Sequence, residues 1–152
     1  MKKLIERTGL SNDVKASNRY KQLGMLLNAI EKKILPSDTI QLIDKEVDEL
    51  NSYKDTKSNF SKAIKSSENR IIRLLESKHK IVPINHYRKL WVVLGMSAFG
   101  VPIGISLGLS LGSMGFLAIG FPIGMGIGAG IGSGMDKKAL KEGRQLDFEV
   151  KY

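Results

Sequence analysis

Two histidines, one acidic cluster and one run of closely spaced glycines are the places where this chain could do chemistry. His79 and His86 stand seven residues apart with no carboxylate at ligand spacing. A metal centre needs three or four converging donors, so both histidines read as solvated or interfacial. Asp44, Glu46, Asp48 and Glu49 sit among lysines and read as a solvated helix face. Gly124, Gly126, Gly128 and Gly130 do not make a phosphate loop, because the Lys-Ser/Thr that would follow is missing and no strand pattern precedes them. The chain has no cysteine, which removes disulfides and thiolate chemistry. No catalytic, cofactor or metal constellation emerges, and the sequence predicts a protein that is not an enzyme.

The chemistry that remains is that of close packing. Leu90 to Met135 is 46 residues without a charge, and it holds 13 of the 16 glycines. A spanning helix needs about 20 apolar residues, so the stretch fits two spans, at about 90–111 and 116–135, with a tight turn between them. The stretch also repeats itself. Gly95–Ser113 overlays Gly115–Ser133 with nine of 19 positions identical, and the shared core is G-x-P-I-G-x-x-x-G-x-x-x-G. Residues four apart are stacked neighbours on a helix. Gly100, Gly104, Gly108 and Gly112 therefore form a stripe on the first span, and Gly120, Gly124, Gly128 and Gly132 a matching one on the second. Such stripes let another backbone approach closely, which is how membrane helices associate.

The opposite faces differ. Pro102, Ser106, Ser110 and Ser113 lie roughly across from the first stripe, and Pro122, Gly126 and Gly130 across from the second. The second span thus carries small residues on two faces. It can meet its own first span on one side and a neighbouring subunit on the other, which points to a homo-oligomer, most simply a closed ring. The small polar face of Ser106, Ser110 and Ser113 is the candidate lining if the ring conducts. The bland reading of these serines is bonding to backbone carbonyls.

Period-2 alternation in Ile123–Gly132 is also a strand signal. Glycine costs a helix about 1 kcal/mol in water, but unsatisfied backbone groups in lipid cost several kcal/mol each. Helix wins if the stretch lies in a membrane. Pro102 and Pro122 each remove one helical hydrogen bond, with small Ala98 and Ala118 four residues earlier easing a kink.

Through its two G-x-x-x-G-x-x-x-G-x-x-x-G runs, residues 95–135 resemble the broad glycine-zipper class of membrane proteins, which implies a two-helix transmembrane hairpin. The run Gly124–Gly134 also resembles the glycine-rich helix in the hairpin subunit of rotary ATPase rings. That family carries an ion-binding carboxylate in mid-membrane on its other helix. Neither span has one here, so ion-coupled rotation does not carry over.

The elements that hold this hairpin are helical. Residues 1–10 look poorly structured. Ser11 or Asn12 can cap a helix with Tyr20, Leu23, Leu26, Leu27, Ile30 and Ile34 on one stripe, ending near Leu35 before Pro36. Ser37 reads as the next cap, with Asp38 in the first turn. Ile40, Ile43, Val47 and Leu50 follow at coiled-coil spacing. The pattern weakens over 51–59 and resumes at Phe60, Ile64, Ile71, Leu74 and Leu75, so 38–78 is either one interrupted helix or two helices joined near 52–58. This unit is thin and must complete its core against itself or a neighbour. In the tail, Leu146–Val150 alternates like an edge strand, or packs loosely on the helical domain.

Tyr87, Arg88, Lys89 and Trp91 at the start of the first span form an interface belt, and Lys137 and Lys138 follow the second. The turn between the spans has no basic residue. The positive-inside rule then places both termini in the cytoplasm and the hairpin in the plasma (inner) membrane. Only Leu4-Ile5 follows Met1-Lys2-Lys3 before Glu6-Arg7, so insertion is expected to use the central stretch rather than a signal peptide. The chain carries a net charge of +9, and because it is spread over mixed-charge helices, membrane lipid with anionic headgroups is the expected partner, not nucleic acid.

The sequence thus predicts an all-α membrane protein. Residues 1–85 are a cytoplasmic helical or coiled-coil domain, 86–135 a glycine-zipper transmembrane hairpin, and 136–152 a basic cytoplasmic tail. Two functions stay open: a homo-oligomeric ring-like pore or channel, or a non-conducting anchor or scaffold whose helices recruit a cytoplasmic protein partner.

Overall fold

Asp13 starts the first helix, its side chain accepting the Ala16 N–H at 3.0 Å. The computed structural model describes residues 1–5, 7, 13–53 and 58–151, with the side chains of Ser58 and Met114 left out. Ser11 and Asn12, the caps expected from sequence, lie outside these residues. Every regular element among the described residues is helical, and the chain divides into two units: Met1–Val82 with Leu146–Tyr152, and Pro83–Gln145.

In the first unit, α1 (Val14–Glu31), α2 (Ser37–Asn51) and α3 (Ser58–His79) pack with α3 against both others. The interruption expected between residues 51 and 59 separates two helices. Residues 54–57 of that joint lie outside the described residues. Leu23, Leu26, Leu27 and Ile30 of α1, Ile43, Val47 and Leu50 of α2, and Phe60, Ile64, Ile71 and Leu75 of α3 form one core. Phe60 is its hub, with Tyr53 and Tyr20 rings 5.5 and 5.9 Å away.

Four local expectations change. First, α1 stops at Glu31, not near Leu35. The chain leaves the helix early so that Leu35 can turn onto the core, and Ile34 is left wholly exposed. Second, Ser37 lies inside α2 rather than capping it. The Pro36 carbonyl takes the Thr39 and Ile40 N–H groups instead, because Pro36 already holds the extended geometry of a cap. Third, residues 1–5 and 7 are tied down. Lys2 reaches Asp44 through its N–H and Asp48 through its ammonium, both at 2.6 Å. Arg7 donates to the Leu50, Asn51 and Tyr53 carbonyls at 2.7–2.9 Å and lies 4.6 Å over the Phe60 ring. A cation at the C-terminal end of α2 satisfies carbonyls that the helix cannot. Fourth, the tail is not a separate basic segment. Residues 136–141 continue a helix, and the extended piece after Gln145 completes the first core, with Leu146 and Phe148 buried and Asp147 exposed. The Leu146 N–H donates to the Val82 carbonyl at 2.9 Å, and the Lys151 N–H to the Gln22 side chain at 3.2 Å.

The second unit is a hairpin. Its first helix runs from His86 to Leu111, through α4 (His86–Gly95), one π-turn (Met96–Gly100) and α5 (Val101–Leu111). Gly112 and Ser113 turn the chain, a short 3-10 turn (Met114–Phe116) follows, and α6 (Leu117–Lys141) returns. The two helices are 26 and 25 residues long, roughly 38 Å each at ~1.5 Å per residue. Both are long and apolar enough to cross a membrane.

Candidate helix-packing site

Glycine supplies nearly all that is buried in the hairpin. Gly95, Gly100, Gly104 and Gly108 are buried on the first helix, and Gly120, Gly124, Gly128 and Gly132 on α6, followed by Asp136 and Ala139. The approach is backbone to backbone. A methyl group on Gly100 would lie 2.9 Å from the Gly120 carbonyl oxygen, one on Gly104 2.7 Å from that of Leu117, and one on Gly132 2.5 Å from the Tyr87 carbonyl oxygen. A methyl on Gly128 would overlap the Trp91 carbonyl outright. No side chain fits there, so glycine is required by space at these positions, not by conformation.

Gly95 joins this stripe although it stands five residues before Gly100, out of step with a spacing of four. The π-turn absorbs the extra residue: the Val101 N–H reaches back to Met96 across it. Pro102 follows directly and has no N–H to close an ordinary turn, so the wide turn sits where one helical bond was already missing. Ala98, four residues before the proline, is exposed. In α6, Pro122 lies within continuous helix.

Gly112 does not pack. Spacing puts it on the first stripe, but its φ is +66°, it is exposed, and nothing lies within 4 Å of where its Cβ would be. It ends α5 in the left-handed conformation that glycine adopts most easily, its N–H bonded to the Gly108 carbonyl. Gly126 and Gly130 are on helix α6 but face open space, as does Gly134. The second small face of α6 therefore has no partner among the described residues.

Ser106, Ser110 and Ser113 are exposed. Ser106 donates its hydroxyl to the Pro102 carbonyl at 2.9 Å, within its own helix, and Ser113 Oγ accepts the Gly115 N–H at 3.4 Å. At the other end, Arg88, Lys137 and Lys138 are exposed, while Tyr87, Lys89 and Trp91 are half-buried.

Asp136 is the residue that the sequence reading passed over. It lies four positions beyond Gly132 and so continues the buried stripe. Its two carboxylate oxygens accept the Tyr87 and Arg88 N–H groups at 3.0 and 2.9 Å. Asn85, which precedes α4, makes no side-chain cap of its own. Asp136 thus caps α4 from the facing helix and adds a negative charge at a positive helix end. The signal was the i+4 spacing of an acid from a glycine run.

The bulky side chains point the other way. Leu90, Val93, Leu94, Leu109, Ile119, Ile123, Met125, Ile127 and Ile131 are all exposed, and only 22 % of each apolar stretch is buried. No known protein family, curated protein or solved structure matches this chain.

In the helical unit, His79 is not simply solvated: its Nε2 lies 2.8 Å from the Oγ1 of the buried Thr39. The acidic face is partly engaged, with Arg70 on Glu46 at 2.7 Å and on Glu49 at 3.6 Å. Among the described residues of this unit the buried acid is Glu68, which accepts from the Gln22 amide at 2.7 Å. Burial pushes its pKa above the ordinary glutamate value, against the opposing pull of Gln22, Arg19 and Lys65.

Proposed function

We propose that this chain is an integral membrane protein whose hairpin anchors it and assembles it with further copies, holding the helical unit at the cytoplasmic face as a scaffold for a protein partner. The observation that carries the reading is that the hairpin is built inside out: glycines inward, leucine and isoleucine outward. In water each exposed leucine or isoleucine forgoes about 1.5–3 kcal/mol of burial. In lipid that term vanishes, and close backbone packing becomes the source of helix association. The glycine-zipper class is the type of membrane protein that this packing suggests.

The same-side topology has its own support. Val82 and Leu146, the residues on either side of the hairpin, are hydrogen-bonded to each other. The chain must leave and re-enter one unit, which requires an even number of crossings. The basic flanks favour the cytoplasm for that side. The open face of Gly126, Gly130 and Gly134 is the surface for a neighbouring copy.

A second reading is a ring-like pore lined by Ser106, Ser110 and Ser113, favoured by their common exposure. The scaffold is preferred because the Ser106 hydroxyl is already given to a backbone carbonyl, and because no charge lies between Lys89 and Asp136. Purified protein in planar bilayers decides between them. Silence across voltage, pH and lipid composition supports the scaffold. Discrete conductance that Ser110→Phe reduces would replace it with the pore. Alkaline extraction of membranes tests the common premise: a chain released into the supernatant is not integral.

A further inference from the structure

All the charge of the hairpin unit lies at one end. Residues 83–145 carry Arg88, Lys89, Lys137, Lys138, Lys141 and Arg144 against Asp136 and Glu142, and the turn at the other end carries none. Both acids are already engaged. Asp136 is buried against the Tyr87 and Arg88 amides. Glu142 is held by Arg144 and, at 4.0 Å, by Lys138. That leaves Arg88, Lys137 and Lys141 exposed, with no acidic partner among the described residues. The bond from Asp136 to the Arg88 amide sets residues 87–89 beside 136–138, so the cations form one collar rather than two clusters.

Helix stability accounts for only part of this collar: Lys138 and Lys141 stand in the last turn of α6, where cations complement its dipole. Lys137 and Lys141 are four apart on one helix face, an arrangement of like charges that is unfavourable. Arg88 and Lys89 lie in the first turn of α4, the positive end of its dipole, where cations are disfavoured. An anion from outside the chain relieves both. Directly beside the collar the surface turns apolar, with Leu90, Met135 and Leu140 exposed. A ligand that satisfies this surface has an anionic head and a hydrocarbon tail.

We propose that the collar of Arg88, Lys137 and Lys141, together with Lys89 and Lys138, binds the phosphate headgroups of anionic phospholipids, their acyl chains lying along the adjoining apolar face. The inference rests on the membrane reading above and adds a lipid class to it. Lipid selection then takes place at the charged end of the hairpin, away from its turn.

The test uses the full chain reconstituted in vesicles of phosphatidylcholine alone and of phosphatidylcholine with phosphatidylglycerol. Lipid retained by the protein is counted by native mass measurement after extraction from the mixed vesicles. The expected result is strong enrichment of phosphatidylglycerol that collapses in high salt. The combined variant Arg88→Gln, Lys137→Gln, Lys141→Gln is expected to lower the enrichment by about a hundredfold, each cation accounting for about fivefold. Lys137→Arg with Lys141→Arg is expected to keep it, which separates lost charge from a damaged fold. A chain that stays embedded in both vesicles but retains the two lipids equally overturns this inference and leaves the membrane reading standing. Enrichment that persists in the glutamine variant also overturns it. Release of the chain from both vesicles at alkaline pH overturns the membrane reading, and this inference with it.

Discussion

Asp136 accepts the backbone N–H of Arg88 at 2.9 Å, across the mouth of the hairpin. One carboxylate thereby fixes the register of two helices whose remaining contacts are glycine on backbone and carry little directional information. Asp136→Ala should cost about 1 kcal/mol, the usual loss for a helix cap. Hydrogen exchange at the Tyr87 and Arg88 amides should quicken, while exchange near Gly104 and Leu117 stays slow. Unchanged protection at residues 87 and 88 would show that the cap does not hold α4.

Gly128 and Gly130 stand one turn-half apart on α6 and should respond with opposite signs. At Gly128 a methyl group collides with the Trp91 carbonyl, whereas at Gly130 it meets nothing. Gly128→Ala should lower the melting temperature in detergent. Gly130→Ala should leave it unchanged or raise it, since alanine favours helix by up to about 1 kcal/mol over glycine. Equal effects at the two sites would mean that the helices do not meet on this face.

Gly130→Leu addresses the open face. If copies assemble through that face, as proposed, the variant should reduce the particle size by native mass measurement and leave the hairpin folded. A particle of unchanged size excludes the Gly126–Gly130–Gly134 face as the contact between copies.

Glu68 gives a pH dependence with a definite sign. Burial raises its pKa in the folded state. A group raised on folding contributes its full stability below the unfolded-state pKa and loses it as pH climbs through the folded value. The helical unit should therefore gain stability from this group as pH falls from neutral to mildly acidic. Glu68→Gln should raise stability at neutral pH and flatten that part of the profile. A variant less stable than the parent at neutral pH would show that the bond to Gln22 outweighs the cost of the buried charge.

Phe148→Ala tests the returning segment. Phe148 is 5 % exposed in the first core, and emptying such a site costs about 3–5 kcal/mol. The change should destabilise α1 and α3 by hydrogen exchange although it lies far along the chain from both. Protection unaltered in those helices would make the segment a passive tail.

How far the sequence could be read depended on how local each cause was. The four-residue spacing of Gly120 to Gly132 is a property of one helix, and the packing face follows from it. Gly95 was not legible on that rule, because its register depends on a π-turn that spacing alone does not reveal. Gly112 obeyed the spacing and still left the stripe, since a turn needed its left-handed conformation more than the helix needed its small size. Leu146 and Phe148 showed their alternation, but the core they fill is formed by residues more than 70 positions away. Arg7 looked like part of a loose terminus because its partners are carbonyls, which have no signature in sequence. The exposed bulk of the hairpin was legible in full, as hydropathy is additive and needs no partner.

The hydrogen bond between Val82 and Leu146 has a consequence in time. A ribosome delivers α1, α2 and α3 first, yet the core they form lacks Leu146 and Phe148 until the whole hairpin has been made. The helical unit therefore cannot reach its final state before α6 has left the ribosome. Its completion reports that the hairpin has been delivered, so a partner that recognises only the finished helical unit would meet only chains whose hairpin is already in existence.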